Sequence, residues 1–250
     1  MGFRTTLVVT TFVLFLFLFG LRLTYTLPGY KLGSNPPPPR RRGSPTHLLI
    51  VLGSGGHTAE MFSLLHSFDP QSYHHRSYVV SKGDDFSSLK AIEFERSLVD
   101  SAASTTGRAS DRTGSYSIHV VPRAREIHQP LLTTPVSALG CLWACLLMLR
   151  AKPRADVSAT PDLILVNGPG TAVIVVFASL ILRFLALDRS AWARVRRPTR
   201  TIYIESWARV KKLSLSGRIL AGTGAVDRML VQWEPLKGKA GAEWMGWMVK

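Results

Sequence analysis

Three kinds of side chain in this sequence stand where chemistry could be done: a histidine behind a run of glycines, a carboxylate closing an apolar segment, and two arginines beside a proline. Gly53-Ser54-Gly55-Gly56-His57 follows the apolar run His47–Leu52 and opens a stretch, His57–Phe68, with Met61, Leu65 and Phe68 at helical spacing. Glycines at such a junction permit a tight turn and present N–H groups at a helix N-terminus, which suits a phosphate; they serve a plain turn equally well. The pattern is not the dinucleotide fingerprint, because Thr58 stands where G-x-G-x-x-G needs its last glycine, and no lysine follows to make a P-loop. A neutral imidazole at His57 could take a proton from an attacking sugar hydroxyl or hydrogen-bond a phosphate, while Glu60, one turn on, complements the helix dipole. Glu205 ends the apolar TIYIE and either bonds a substrate hydroxyl or pairs with an arginine. Arg123 and Arg125 suit a diphosphate, with a salt bridge to Glu126 as the plain alternative.

These residues need elements to hold them. Short apolar runs at His47–Leu52, Arg76–Ser81, Ser117–Val121, Asp162–Val166, Thr201–Ile204 and Met229–Val231 read as strands. Helical stretches at His57–Phe68, Asp84–Leu98, Leu131–Arg150 and Thr171–Leu182 alternate with them, which predicts an α/β fold with a Rossmann-like, doubly wound parallel sheet. Ligands of such sheets bind beyond the carboxyl ends of the strands. The glycine run, Ser81–Asp85, Pro122–Glu126, Asn167-Gly168-Pro169-Gly170, Glu205-Ser206 and Gln232-Trp233 all fall there and converge on one rim. Polar, aperiodic stretches near 100–115 and 151–160 read as flexible insertions. The apolar stretch Leu131–Leu149 is either core or lies against a membrane with Trp143 at the interface.

The run Thr5–Leu21 carries no charge and spans roughly 26 Å as a helix, about the core of an endoplasmic reticulum bilayer. Arg22, Lys31, Arg40, Arg41 and Arg42 follow it against Arg4 before it, so the positive-inside bias puts the body of the protein in the cytosol. The chain thus divides into a short lumenal terminus (1–4), a transmembrane anchor (5–27), a proline- and arginine-rich extended tether (28–45) and one domain (46–250). Cys141 and Cys145 alone supply neither a disulfide framework nor a metal set, and no cofactor is expected. The net charge of +15 fits lipid headgroups, a phosphorylated substrate or nucleic acid, and the anchor favours the first two.

Five ordered blocks, LGSGGHTAEM (Leu52–Met61), VPRAREI (Val121–Ile127), PDLILVNGPGT (Pro161–Thr171), IYIESWARVKKLSLSGRIL (Ile202–Leu220) and VDRMLVQW (Val226–Trp233), resemble one family. It is the membrane-anchoring subunit of the dolichol-linked N-acetylglucosaminyltransferase of early asparagine-linked glycan assembly. The resemblance implies an inverting transfer of N-acetylglucosamine from UDP to dolichyl-diphosphate-N-acetylglucosamine at the cytosolic face of the endoplasmic reticulum and contiguous nuclear membrane. It implies one acceptor-side lobe of a two-lobed (GT-B type) glycosyltransferase, inactive without a soluble catalytic subunit that holds most of the donor, and with no nucleic acid partner. Carried over by position, Gly53, Ser54, Gly55, Gly56 and His57 match the loop near the acceptor diphosphate. Asn167, Gly168 and Gly170 match a second loop and Glu205 and Ser206 a third, with Arg123 and Arg125 beside them. The sequence departs from the family in Val231-Gln-Trp-Glu-Pro235, where Glu234 separates Trp from Pro. A tail with Trp244, Trp247 and Val249 either docks on the partner or packs on its own domain. Two other readings remain: a pure membrane adaptor that recruits the catalytic subunit, and a tethered nucleotide-dependent oxidoreductase disfavoured by the missing third glycine.

Overall fold

Successive residues of a strand point to opposite sides, so a strand with no polar position must be covered on both. The first strand, β1 (His47–Val51), is buried at every position. The computed structural model describes residues 2–30, 46–66, 68–106, 114–126, 129–130, 132–151, 153, 160–168, 170–185 and 199–249. Around β1 lie β2 (His75–Ser81), β3 (Ser115–Val121), β4 (Leu163–Asn167), β5 (Arg200–Ile204), β6 (Arg228–Val231) and β7 (Glu243–Trp244), in one sheet of order β3-β2-β1-β4-β5-β6-β7. Every neighbouring pair is parallel.

Leu48, Ile50, Leu52, Tyr78 and Val80 face a layer built from α2 (Gly56–Leu64) and α3 (Asp85–Thr106), with Met61, Leu65 and Ala91 at its centre. Leu49, Val51, Val79, Ile164, Val166 and Tyr203 face the other layer. That layer comprises α4 (Thr134–Arg150), α5 (Gly170–Phe184) and α6 (Leu215–Gly222). The six expected strands and the parallel doubly wound sheet are therefore found. The seventh strand and α6 went unread, because two residues and eight are too short to show a period.

One expectation changes. The insertion read near 100–115 is in part helix: α3 runs on to Thr106 and β3 begins at Ser115, leaving only 107–113 outside the described residues. Most of the 151–160 stretch also lies outside them. The apolar helix α1 (Gly2–Thr26) ends against α5, with Phe19 and Phe184 rings 5.1 Å apart. Arg22 donates to the carbonyls of Arg183 and Phe184 at 3.0 and 2.9 Å, satisfying groups that a helix C-terminus leaves open. Gly29 then donates to the Gly224 carbonyl, just before β6. Residues 31–45 of the tether lie outside the described residues.

The helix α4 bears out the core half of the either-or about Leu131–Leu149 on one of its faces. Cys141, Cys145 and Leu149 are buried against the sheet layer, while Val136, Leu139, Trp143 and Leu147 form an exposed stripe on the far side. On the opposite face, α3 is fastened to β2 by a buried ion pair. Arg76 Nε and Nη2 each donate at 2.7 Å to the two oxygens of Glu95, and Tyr78 Oη donates to the same carboxylate at 2.7 Å. Both side chains are at most 4% exposed. Replacing Glu95 by Ala strands a guanidinium in an apolar layer and is expected to lower unfolding stability by about 3–5 kcal/mol in urea titrations, whereas Arg76→Met with Glu95→Leu should cost far less.

Candidate active site

The chain leaves β1 toward β2 and leaves β4 toward β5, in opposite directions across the sheet, so the loops after β1 and β4 part and open a crevice between them. The glycine run follows β1 and Asn167 ends β4. Topology alone therefore brings His57 and Asn167, distant in sequence, to one place. His57 Nδ1 lies 3.2 Å from Asn167 Oδ1 and 3.7 Å from Glu60 Oε2, one helical turn away in α2. The ring is about one-third exposed, and among the described residues its Nε2 makes no hydrogen bond. With the proton on Nδ1 directed at Asn167 and Glu60, Nε2 carries a lone pair toward solvent. That is the arrangement of a general base with an orienting carboxylate.

Two glycines make this geometry possible. Gly55, the N-cap of α2, has φ +60°, and a side chain there would project into open space, so the turn leaves room over the helix N-terminus for a ligand. Gly168 has φ +92°, and a Cβ on it would stand 2.9 Å from His57 Cγ. The imidazole thus lies against bare backbone. Gly53 is buried, and its carbonyl accepts from Thr58 Oγ1 and from Ser87 Oγ, the latter also bonded to Asp84 at 2.6 Å. This fastens the base of the glycine turn to the start of α3. Ser54 and Gly56 are exposed at its tip, and Gly170 opens α5 across the crevice.

Glu60, which the sequence presents as a complement to the helix dipole, is a buried carboxylate of the crevice. It is 3% exposed, and its Oε1 accepts from the Trp207 amide at 2.6 Å and from Gln232 Nε2 at 2.9 Å. Burial works to raise its pKa, but donors from His57, the Trp207 amide, Asn167 and Ser206 outweigh that and hold the carboxyl below its ordinary 4.5. The Asn167 amide nitrogen makes no hydrogen bond of good geometry. The only signal in the sequence was spacing, since a carboxylate three residues past His57 on a helix shares its face.

Among the described residues Glu205 pairs with no arginine. It is 1% exposed, and its carboxylate accepts from Ser214 N and Oγ at 2.9 and 3.1 Å, from Ser206 N at 3.2 Å and from Tyr203 Oη at 3.4 Å. Ser214 in turn caps α6, accepting from Gly217 N. Glu205 thus shapes the loop between β5 and α6 from inside. Ser206 is buried at the head of that loop, where its Oγ accepts from Ala208 N at 3.4 Å. Arg123 Nε donates to the Lys82 carbonyl at 3.0 Å, with Glu126 at 3.9 Å. Arg125 donates twice to the Gln129 carbonyl. Both arginines brace the loop after β3.

A family model described as "Oligosaccharide biosynthesis protein Alg14 like" matches residues 48–248. The chain is 40% identical to the UDP-N-acetylglucosamine transferase subunit alg14 of Aspergillus fumigatus, over 72% of this chain and 92% of that one. It is 35% identical to the human UDP-N-acetylglucosamine transferase subunit ALG14, over 77% of each chain. Among solved structures it is similar to the UDP complex of Arabidopsis thaliana UGT89C1, with TM-score 0.38 and 13% identity, covering 75% of this chain and 45% of that one.

Two outcomes test the geometry directly. Gly168→Ala is expected to displace the His57 ring, seen as a shift of its side-chain NMR resonances, and to lose about 1–2 kcal/mol to backbone strain. Because the folded-state pKa of Glu60 is depressed, its contribution to stability is present above about pH 4.5 and is lost as pH falls through the folded value. Glu60→Gln should therefore show a smaller loss of Tm than the wild type between pH 6 and pH 3, read in thermal melts.

Proposed function

The chain belongs to the Alg14 family, and from that premise we propose that it is the membrane-anchoring, acceptor-binding subunit of a UDP-N-acetylglucosamine transferase. In this reading it adds the second N-acetylglucosamine to dolichyl-diphosphate-N-acetylglucosamine, together with a soluble catalytic subunit that it recruits to the endoplasmic reticulum. The observation that carries it is the placement of His57. Its Nδ1 is engaged by Asn167 and Glu60 while Nε2 is open, beside a glycine turn with space for a phosphate.

The chemistry divides accordingly. The N-termini of α2 and α5, with Gly53, Ser54, Gly55, Gly56, Asn167, Gly168 and Gly170 around them, receive the acceptor diphosphate. The acceptor sugar hydroxyl bonds to C1 of the donor sugar as the C1–O bond to UDP breaks, and the hydroxyl proton passes to His57 Nε2. The negative charge of Glu60 stabilises the imidazolium so formed. Arg123 and Arg125 hold the neighbouring loop and add positive charge, and Glu205 and Ser206 position the third loop rather than touching the sugar. The partner carries most of the donor site, because one sheet supplies one wall of an interlobe cleft.

The flanking surfaces support this reading. The helix α1 contains an 18-residue stretch of mean hydropathy 2.2 with none of it buried, suited to crossing the bilayer with the domain on the cytosolic side. The stripe Val136, Leu139, Trp143 and Leu147 suits the headgroup region beside it. Trp207 and Trp247, about half exposed, offer aromatic anchors to a protein partner.

The test is transfer of labelled N-acetylglucosamine from UDP to a lipid-diphosphate-N-acetylglucosamine acceptor by this protein alone, by the assembled pair and by the pair carrying His57→Ala. Activity is expected only in the pair, and His57→Ala should lower it by about 10²–10⁴-fold while the subunits still co-purify. Full activity in the variant would convert the protein into an adaptor without a catalytic contribution. An inert wild-type pair on a validated acceptor would refute the transferase-subunit reading.

A further inference from the structure

The last residues of the described chain return to the active-site crevice by way of one buried amide. After β6 the chain passes through two 3-10 turns, Glu234–Leu236 and Lys239–Gly241, and comes back as β7, paired with Leu230 and Val231. Met245 N donates to the Val231 carbonyl at 3.0 Å, and Trp244 Nε1 to the Gln232 carbonyl at 3.3 Å. Arg228 and Glu243 pair across the two strands. Trp247 then packs edge-on against Trp233, with ring centres 5.3 Å apart, and lies 6.5 Å from Trp207. The tail is thereby seated on its own domain.

Beneath this seat Gln232 is 3% exposed. Its Oε1 accepts from the backbone N–H groups of Met248 and Val249, both at 3.3 Å. Its Nε2 donates to Glu60 Oε1 at 2.9 Å and to the Glu205 carbonyl at 3.4 Å. An amide has one acceptor end and one donor end. The two tail donors claim the oxygen, so the nitrogen must face Glu60. Without them the amide is held from its nitrogen end alone, by the Glu60 carboxylate and the Glu205 carbonyl, and its oxygen is left without the two donors that fix its plane. The second donor to Glu60, the Trp207 N–H, belongs to a residue whose carbonyl accepts from Trp233 Nε1, outside the tail, so the tail's hydrogen bonds reach Glu60 through Gln232.

We propose that Gln232 and the segment Trp247–Val249 form a positioning latch, which orients the Glu60 carboxylate and through it the proton-accepting His57. The proposal rests on the reading of His57 as base. Gln232 is a positioning residue: it touches neither substrate nor reacting atoms. Seating of the tail sets catalytic competence without altering the surface that meets the acceptor.

The experiment measures kcat and KM in the assembled enzyme pair for four forms of this chain: wild type, Gln232→Ala, a chain ending at Gly246, and the two changes combined. His57→Ala is carried as a separate arm, and Tm and co-purification are recorded for each. A lost hydrogen bond to a charged group should lower kcat by about tenfold or more in each single variant, with KM for both substrates within about twofold. Because both changes act through one amide, the combined form should be no slower than the slower single variant. Unchanged kcat in Gln232→Ala, with His57→Ala inactive, overturns the latch and leaves the base in place. Multiplying losses in the combined form also overturn it, since independent effects would show that the tail does not act through Gln232. Should the truncated chain fail to assemble with its partner, Gln232→Ala, which keeps the tail, decides alone. Full activity in His57→Ala refutes the underlying reading instead.

Discussion

One buried carboxylate ties together the parts of this molecule that would otherwise move independently. Glu60 stands on α2 yet accepts hydrogen bonds from the loop after β5 and from the end of β6, and it faces the imidazole at the head of its own helix. A charge kept out of water at this depth is tolerated only when donors surround it. The donors come from three separate stretches of chain, so satisfying Glu60 requires all three to be in register. That requirement makes the crevice rigid where the proposed chemistry needs a fixed imidazole.

A second buried charge does similar work away from the site. The Arg76–Glu95 pair, closed by Tyr78, joins β2 to α3 inside an apolar layer that includes Phe62, Phe68 and Phe94. Ser87, in the first turn of that same helix and bonded to Asp84, reaches the carbonyl of Gly53. Immobilising α3 therefore immobilises the base of the glycine turn. Glu205 repeats the principle on the far side of the crevice, where its hidden carboxylate organises Ser206 and the cap of α6.

The long apolar helix α1 is part of this architecture rather than an appendage. Arg22 satisfies carbonyls at the end of α5, and α5 begins beside Asn167 at the crevice. One helix thus runs between the last turns of α1 and the site. In a parallel sheet with covering helices the end of α5 lies by the strand starts, so α1 docks at the end of the sheet opposite His57.

The sequence by itself determined the class of fold, because continuous apolar runs alternating with helical periods admit little but a parallel sheet covered on both faces. It also placed the glycine run, His57 and Asn167 at strand ends whatever the details, and made Thr5–Leu21 part of a helix long and apolar enough to cross a membrane. Only the tertiary structure decided which side chains work together. Glu60 and Glu205 looked alike as carboxylates near strand ends or helix starts. Their roles diverged because one meets His57 across a helical turn and the other turns inward to Ser214. The seat of the tail was equally hidden: a two-residue strand has no period to read, and the amide of Gln232 acquires its direction from backbone donors that only folding brings to it.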